Sequence, residues 1–374
     1  MNLETFRQLL APTGQAALAD AVALSASEAT FLAGFESLRK RHPPELAKVA
    51  LETAILRARA RAKFAAADQM YFTREALEQA TCEDVARHRA RRFAGFPCVA
   101  DLCCGIGCDA LALAAAGPTV EAVDTDPVRL AMAEANARAL GVADRVRCRL
   151  GDALTVSLAE VGAAFADPDR RAEGRRYLDP QDYVPPLAAL RARFAADFPL
   201  AVKVAPGVAQ ADLRAVEAEV EFVSLRGELK ECTLWFGGFR TAERRATVLP
   251  AGETLAAERT PDPAPHAAPE AFLYDPDPAV TRAGLVPILA DRLGAHPIDP
   301  QVQLLTADRL TPTPFATAFR VEHVAPFHIR LLREYLRDRH VGRVTVIKRG
   351  TPADSDDLLR KLRLAGPQHR TVLL

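Results

Sequence analysis

Residues 98–116 constrain the fold of this chain more than any other stretch. Val99-Ala-Asp-Leu-Cys-Cys104 has the apolar character of a buried strand, Gly105-Ile-Gly107 follows without a spacer, and Ala110–Ala116 has the composition of a helix. A strand that runs through a glycine turn into a helix is the opening of a parallel βα unit. Lacking Cβ atoms, Gly105 and Gly107 permit a sharp turn and let a ligand approach the backbone closely. The turn alone leaves the ligand open, because Gly105-x-Gly107-x-x-Ala110 also satisfies the dinucleotide fingerprint, whose last position tolerates Ala.

The segments beyond the turn separate the ligands. Val120-Glu-Ala-Val-Asp124 is a second strand ending on a carboxylate placed to accept both hydroxyls of a ribose. Arg147-Cys-Arg-Leu-Gly151-Asp152-Ala153 and Phe165-Ala-Asp167-Pro168-Asp169-Arg170-Arg171 come next. S-adenosylmethionine (SAM) presents an ammonium group, a sulfonium, a ribose diol and an adenine amine. Asp101 at the first strand end can face the ammonium, and Asp124 the diol. Asp152 can accept from the adenine amine while the Ala153 N–H donates to a ring nitrogen. Asp109 can reach the amino acid end or cap the following helix. Any one of these aspartates reads equally as a turn former or helix cap. Four in this order predict a class I SAM-dependent methyltransferase rather than a nicotinamide enzyme.

The 374-residue chain is long enough for two or three domains. Its 48 Lys and Arg balance 48 Asp and Glu, so no global field draws it to nucleic acid or to a membrane. No run of 18 apolar residues exists, so no spanning helix and no membrane partner are expected. Met-Asn-Leu-Glu-Thr-Phe-Arg7 has no cationic region followed by an apolar core, so no signal peptide is expected. Seven cysteines, an odd number mostly in apolar strand contexts, predict reduced thiols and a cytoplasmic location. Cys103, Cys104 and Cys108 invite a metal reading. Adjacent cysteines at a strand end point to opposite faces, however, and no His or Cys pair elsewhere has zinc spacing, so no metal is expected.

The organisation reads as three parts. Residues 1–92 are helical by apolar spacing, over Phe6–Leu10, Ala17–Leu24, Ala29–Leu38 and Pro44–Ala65. Thr81-x-x-Asp84 predicts a capping-box variant leading a helix over Cys82–Phe93. Residues 93–260 alternate strand and helix, which predicts a mostly parallel, Rossmann-like sheet covered on both faces. Glu231-Cys-Thr-Leu-Trp235-Phe can pair antiparallel with Glu221–Leu225, and Arg244–Leu249 is expected as an edge strand. The run Pro261–Pro269 predicts a proline-rich linker. Residues 271–374 predict a small α+β sandwich with helices on one face of a sheet.

These residues resemble a bacterial family of class I methyltransferases with a THUMP-like C-terminal domain. The resemblance covers most of the chain. It rests on Phe72-Thr-Arg-Glu-Ala-Leu-Glu-Gln-Ala80, Val85-Ala-x-x-Arg89-Ala-x-Arg92-Phe, Asp101-Leu-Cys-Cys-Gly-Ile-Gly107, Asp167-Pro-x-Arg-Arg171, Gly227-Glu-Leu-Lys-Glu231, Tyr274-Asp-Pro and Ile347-Lys-Arg-Gly350. The methyltransferase domain also looks related to trimethylguanosine synthase, which methylates the N2 amine of guanine caps. THUMP domains elsewhere accompany tRNA-modifying enzymes, so the resemblance implies action on tRNA or rRNA.

This chain departs from the amine-methylating pattern at one turn. Amine methyltransferases often carry an Asn/Asp/Ser-Pro-Pro-aromatic turn whose oxygens accept from the target amine and whose ring stacks on the base. Here Asp167-Pro168 is followed by Asp169 and Arg170, so stacking falls to Tyr177, Tyr183 or the Arg170 guanidinium.

Asp167 and Pro168 are therefore expected at the chemistry. Thr81, Asp101, Gly105, Gly107, Asp109, Asp124, Asp152 and Ala153 are expected on SAM. Gln79 and Ala80 would help cover its methionine end, or simply belong to a helix cap. Arg170, Arg171 and Tyr177 are expected on the substrate, with Arg175 and Arg176 nearby. Lys348 and Arg349 are expected on a phosphate backbone, because Phe319–Leu374 holds 12 Lys and Arg against six Asp and Glu. Lys203 and Pro206-Gly207 fall at the pocket rim and read as structural, and Lys230-Glu231 reads as a hairpin charge pair. Transfer to an amine of an RNA base is the expected reaction. A SAM-binding RNA adaptor without catalysis, and an enzyme acting on a protein or metabolite, are the rival readings. The oligomeric state is open.

Overall fold

The computed structural model describes residues 1–158, 160–172, 175–259, 264–349 and 355–374. The chain divides into two compact units, Met1–Thr254 and Leu255–Leu374. The helical segment expected as a separate domain packs into the first unit.

Its helices include Leu3–Leu10, Pro12–Ala23, Phe31–Leu38 and Pro44–Ala60, with Arg74–Gln79 and Glu83–Ala90 leading to the first strand. Pro12 and Pro44 each start a helix at the first position, where a missing N–H costs nothing, and for Pro44 that is the start the apolar spacing predicts. Phe6, Leu9, Leu18, Leu51 and Leu56 bury their side chains in one core with Met132, Ala135 and Ala137 of the helix Pro127–Ala139. That shared core makes the N-terminal helices part of the wall behind the sheet.

The sheet has nine strands. They are β1 (Cys98–Leu102), β2 (Thr119–Asp124), β3 (Val146–Leu150), β4 (Ala163–Ala166), β5 (Leu200–Val204), β6 (Glu219–Leu225), β7 (Glu228–Phe236), β8 (Arg244–Leu249) and β9 (Glu253–Ala257). Their order is β9-β8-β6-β7-β5-β4-β1-β2-β3. Strands β1 to β5 pair in parallel, and β7 inserts antiparallel between β5 and β6. β8 pairs in parallel with β6, but β9 lies outside it, so β8 is not the edge. The boundary between the two units falls within β9. β1, β4, β5 and β6 are buried almost throughout, the pattern of strands covered on both faces.

Strand order reverses between β1 and β4, which are neighbours in the sheet though β2 and β3 intervene in sequence. In such sheets the crevice at the strand C-termini, at this switch point, is where ligands bind. Asp101 pairs with Phe165 and Leu102 with Ala166, so Asp167 emerges beside the glycine turn, its N–H donating to Leu102 O at 3.1 Å.

Among the described residues the second unit holds two separate sheets where one was expected. Phe272–Pro276 pairs antiparallel with Leu305–Ala307 on one side and Ala316–Arg320 on the other, and His296–Pro297 extends that sheet. Val341–Ile347 and Gln368–Leu373 pair in parallel as a separate ribbon covered by the helices Ile329–Asp338 and Ser355–Leu362. Gly284, with a left-handed φ of 74°, ends the helix Pro278–Ala283 before Val286–Leu293 begins. Of the predicted linker, residues 261–263 lie outside the described residues, and 264–269 form neither helix nor strand. No single helix among the described residues is long and apolar enough to cross a membrane.

Candidate active site

The C-terminal ends of β1, β2, β4 and β5 open into a cleft of about 540 Å³. Its lining brings together Thr81, Gly105, Asp109, Asp124, Asp152, Ala153, Asp167, Pro168, Arg170 and Tyr177, residues that the sequence spreads from position 81 to position 177.

The glycine turn builds the floor. Gly105 (φ 56°) and Gly107 (φ 86°) are both left-handed, as is Cys103 (φ 63°). A Cβ on Gly107 would come within 3.0 Å of Ala133, whereas one on Gly105 would meet nothing of the chain within 4 Å. Gly107 is thus required by packing. Gly105 leaves bare backbone facing the cleft, a cradle a side chain would fill. Asp124 ties the turn to β2: its Oδ2 accepts from Gly105 N at 2.8 Å and its Oδ1 from Asp126 N at 2.9 Å. Each oxygen keeps a second lone pair, so the carboxylate can still accept from a diol. Asp152 is exposed, and its Oδ1 accepts from Leu154 N at 2.6 Å. Ala153 O accepts from Arg193.

Three expected residues sit differently. Asp101 is fully buried and lies beneath the cleft lining rather than in it. Neither oxygen has a hydrogen-bond partner among the described residues. Burial, then the neighbouring charges of Asp109 and Asp167, push its carboxyl well above the usual range. Asp109 is not a helix cap. Gly107 holds that position, and the Asp109 carboxylate is taken by the buried Arg89 guanidinium, which also binds Glu231 and stacks 4.3 Å over the Phe165 ring. Thr81 is no capping box: the helix begins at Glu83 after Cys82, without a side-chain cap bond. Its Oγ1 instead accepts from Lys203 Nζ at 2.8 Å.

Asp167 lines the cleft at the end of β4. Lys203 Nζ also donates to its Oδ2, at 2.8 Å, while its Oδ1 has no partner among the described residues. Burial opposes the Lys203 charge, but Asp167, Glu231 and Asp109 outweigh it and hold the ammonium above its ordinary range. Tyr183 is removed from any stacking role. It is 1% exposed, with its hydroxyl accepting from Ala205 N at 3.0 Å. Tyr177 and Arg170 do line the cleft, joined through Tyr177 N and Arg170 O at 2.9 Å. The side chains of Arg171, Arg175 and Arg176 lie outside the described residues. Burial pushes the Cys103, Cys104 and Cys108 thiols up, as do nearby carboxylates, so they stay protonated.

The tie of Arg89 to Asp109 and Glu231 is one that residue-by-residue reading missed, and Lys203, expected as a structural residue at the pocket rim, is buried in the cleft lining. Arg89 and Glu231 belong to the segments that carry the family resemblance, which assigned neither a role. Lys230 pairs with Glu228 rather than with Glu231. In the second unit Lys348 is exposed, but Arg349 is tied to Asp275 through both carboxylate oxygens at 2.6 Å. Gly350 lies outside the described residues.

Comparison with known proteins agrees with this geometry. The family model for RNA cap guanine-N2 methyltransferase matches residues 96–194, the model for THUMP domain-like matches 316–374, and a domain of unknown function matches 2–60. An uncharacterized S-adenosylmethionine-dependent methyltransferase of Mycobacterium tuberculosis, known from strains CDC 1551 and H37Rv, is 38% identical over 335 residues, 87% of this chain and 91% of the relative. The crystal structure of a methyltransferase candidate from Porphyromonas gingivalis W83 superposes with a TM-score of 0.73 at 20% identity, covering 93% of this chain and 95% of that one, a likeness of fold. With the bare backbone of Gly105 and the carboxylates of Asp109, Asp124, Asp152 and Asp167 around one cleft, the chain belongs to the S-adenosylmethionine-dependent methyltransferases.

Proposed function

We propose that the chain methylates an exocyclic amine of an RNA base and that the second unit captures the RNA. The observation that carries this reading is Asp167-Pro168 at the end of β4, with one carboxylate oxygen committed to Lys203 and the other without a partner among the described residues. SAM supplies an electrophilic methyl on a sulfonium, a good leaving group. The protein's task is then alignment and exclusion of water. Asp167 Oδ1 accepts one amine N–H, orients the nitrogen lone pair toward the methyl, and stabilises the positive charge that develops on that nitrogen. Tyr177 and Arg170, lining the same cleft, offer planar faces for a base. The match to RNA cap guanine-N2 methyltransferases supports an amine acceptor, and the THUMP-like match supports RNA. Seven free cysteines fit a reducing, cytoplasmic setting.

The test uses methyl-labelled SAM and a lysate of the source strain lacking this gene, separated into RNA, protein and small-molecule fractions. Label in RNA, released on digestion as an N-methylated nucleoside, is the expected result. Label confined to protein or small molecules overturns the RNA assignment and leaves the methyltransferase. Tight SAM binding without transfer to any fraction supports the adaptor instead.

A further inference from the structure

We infer that Lys203 is a positioning residue for methyl transfer, which aims Asp167 and neutralises it while latching the segment before β1 over the cleft. The inference rests on the proposed role of Asp167. One ammonium group, 6% exposed, donates at 2.8 Å to Asp167 Oδ2 and at 2.8 Å to Thr81 Oγ1. Three chain segments far apart in sequence meet at that nitrogen: Thr81 before the first strand, Asp167 after β4, and Lys203 within β5. All three side chains line the cleft. Because Lys203 already donates to Oδ2, Oδ1 is the oxygen with both lone pairs open to an incoming N–H, which favours one orientation of the acceptor.

The pair also sets the charge of this wall. Arg89 bridges Asp109 and Glu231, one cation between two carboxylates, whereas Asp167 is matched one to one by Lys203. An acceptor therefore meets a neutral pair, suited to an uncharged N–H donor such as a base amine. A protonated alkyl amine would gain little from it. With SAM bound, the carbon–sulfur bond would break with its electron pair going to sulfur, and nitrogen would gain the methyl and the positive charge, which it sheds by releasing one N–H proton to solvent. A held, polar carboxylate stabilises that shift without reorganising.

The test uses the full-length protein and Lys203→Met, Lys203→Arg, Asp167→Asn and Asp167→Asn/Lys203→Met variants. Binding of SAM, which is a sulfonium, and of S-adenosylhomocysteine, which is neutral at sulfur, is measured by calorimetry. Methyl transfer into RNA, protein and small-molecule fractions is measured alongside. Removing the ammonium leaves Asp167 uncompensated, so Lys203→Met should shift the preference for SAM over S-adenosylhomocysteine upward by roughly tenfold. The double variant should restore the wild-type preference, because its neutral carboxamide needs no counter-charge. Lost aim of the carboxylate should cut turnover by about 100-fold in Lys203→Met. Lys203→Arg, which keeps charge and donors, should recover part of that loss.

An unchanged preference in Lys203→Met overturns the proposal. So does equal loss of both ligands together with a lower unfolding temperature, which would make Lys203 structural. Label moving from RNA to another fraction overturns the RNA reading alone, since the preference shift and the variant-to-wild-type ratio are read whatever the acceptor.

Discussion

Asn136 clasps the main chain of Tyr71 from both sides. Its Oδ1 accepts from Tyr71 N at 2.7 Å and its Nδ2 donates to Tyr71 O at 3.2 Å. The same Nδ2 donates to Ile106 O at 3.0 Å, between the two glycines of the cleft floor. One fully buried amide on the helix Pro127–Ala139 thus stands in for a strand partner. It joins the N-terminal helices, the sheet and the cofactor turn.

Asn136→Leu, close in volume, should therefore be costly. It leaves three buried backbone groups unpaired, at roughly 1–3 kcal/mol each before relaxation. Urea unfolding of the variant should show a loss of several kcal/mol and a weakened affinity for SAM. A midpoint equal to wild type would mean that the clasp contributes nothing.

Arg89→Met should behave as the removal of one partner from a buried charge cluster. Asp109 and Glu231 would be left in the core without their cation, at a cost of about 3–5 kcal/mol. Adding Asp109→Asn and Glu231→Gln should recover most of that stability, and guanidinium denaturation of the single and triple variants compares them. Failure of the triple variant to recover would point to the packing of Arg89 over Phe165 rather than to charge.

Acid should weaken the fold through Glu221. Burial opposes its charge, but hydrogen bonds from His88 and Thr247 and nearby Arg92 bring the carboxyl from 4.5 down to about 2. The Trp235 indole N–H also donates to it at 2.8 Å. A depressed acid stabilises the fold above its unfolded value and loses that stability as pH falls from about 4.5 to about 2, here roughly 3 kcal/mol. The stability gap between wild type and Glu221→Gln should be widest at neutral pH, narrow as pH falls below about 4.5 and close toward pH 2. A gap that does not change with pH contradicts the assignment.

Asp124→Ala should raise the SAM dissociation constant roughly 10- to 150-fold, the loss of one charge-assisted hydrogen bond to the diol. Calorimetry at one ionic strength gives the number directly. Undiminished affinity removes Asp124 from the ribose site.

RNA capture should depend on Arg343 and Arg363 rather than on Arg349. The first two line one concavity with His369, and their guanidinium groups have no partner among the described residues, whereas Asp275 holds Arg349. Reversing both charges should lower the salt dependence of bulk tRNA binding, by about 0.7–0.9 in log–log slope for each phosphate no longer neutralised. Arg349→Ala should leave that slope unchanged. Fluorescence anisotropy across a salt series decides between them.

The sequence by itself determined the βα register of this protein. Strand and turn boundaries near Cys98–Gly107, Val120–Asp124 and Ala163–Asp167 follow from local apolar runs ended by glycine or carboxylate, and the helix Pro127–Ala139 from its cap and spacing. Those are short-range effects, readable one segment at a time, and they already placed Asp124, Asp152 and Asp167 at strand ends, which line one cleft in the fold. Tertiary structure alone decided which charges meet. Arg89 reaches Glu231 across 142 positions, Lys203 reaches Thr81 across 122, and Asn136 reaches Tyr71 across 65. A charged or amide side chain looks the same in sequence on a solvated face and in a core. Only the packing that strips water from both partners makes the pairing obligatory. For the same reason the sequence does not show that Asp101 is buried with neither oxygen paired among the described residues, or that Thr81 accepts from Lys203.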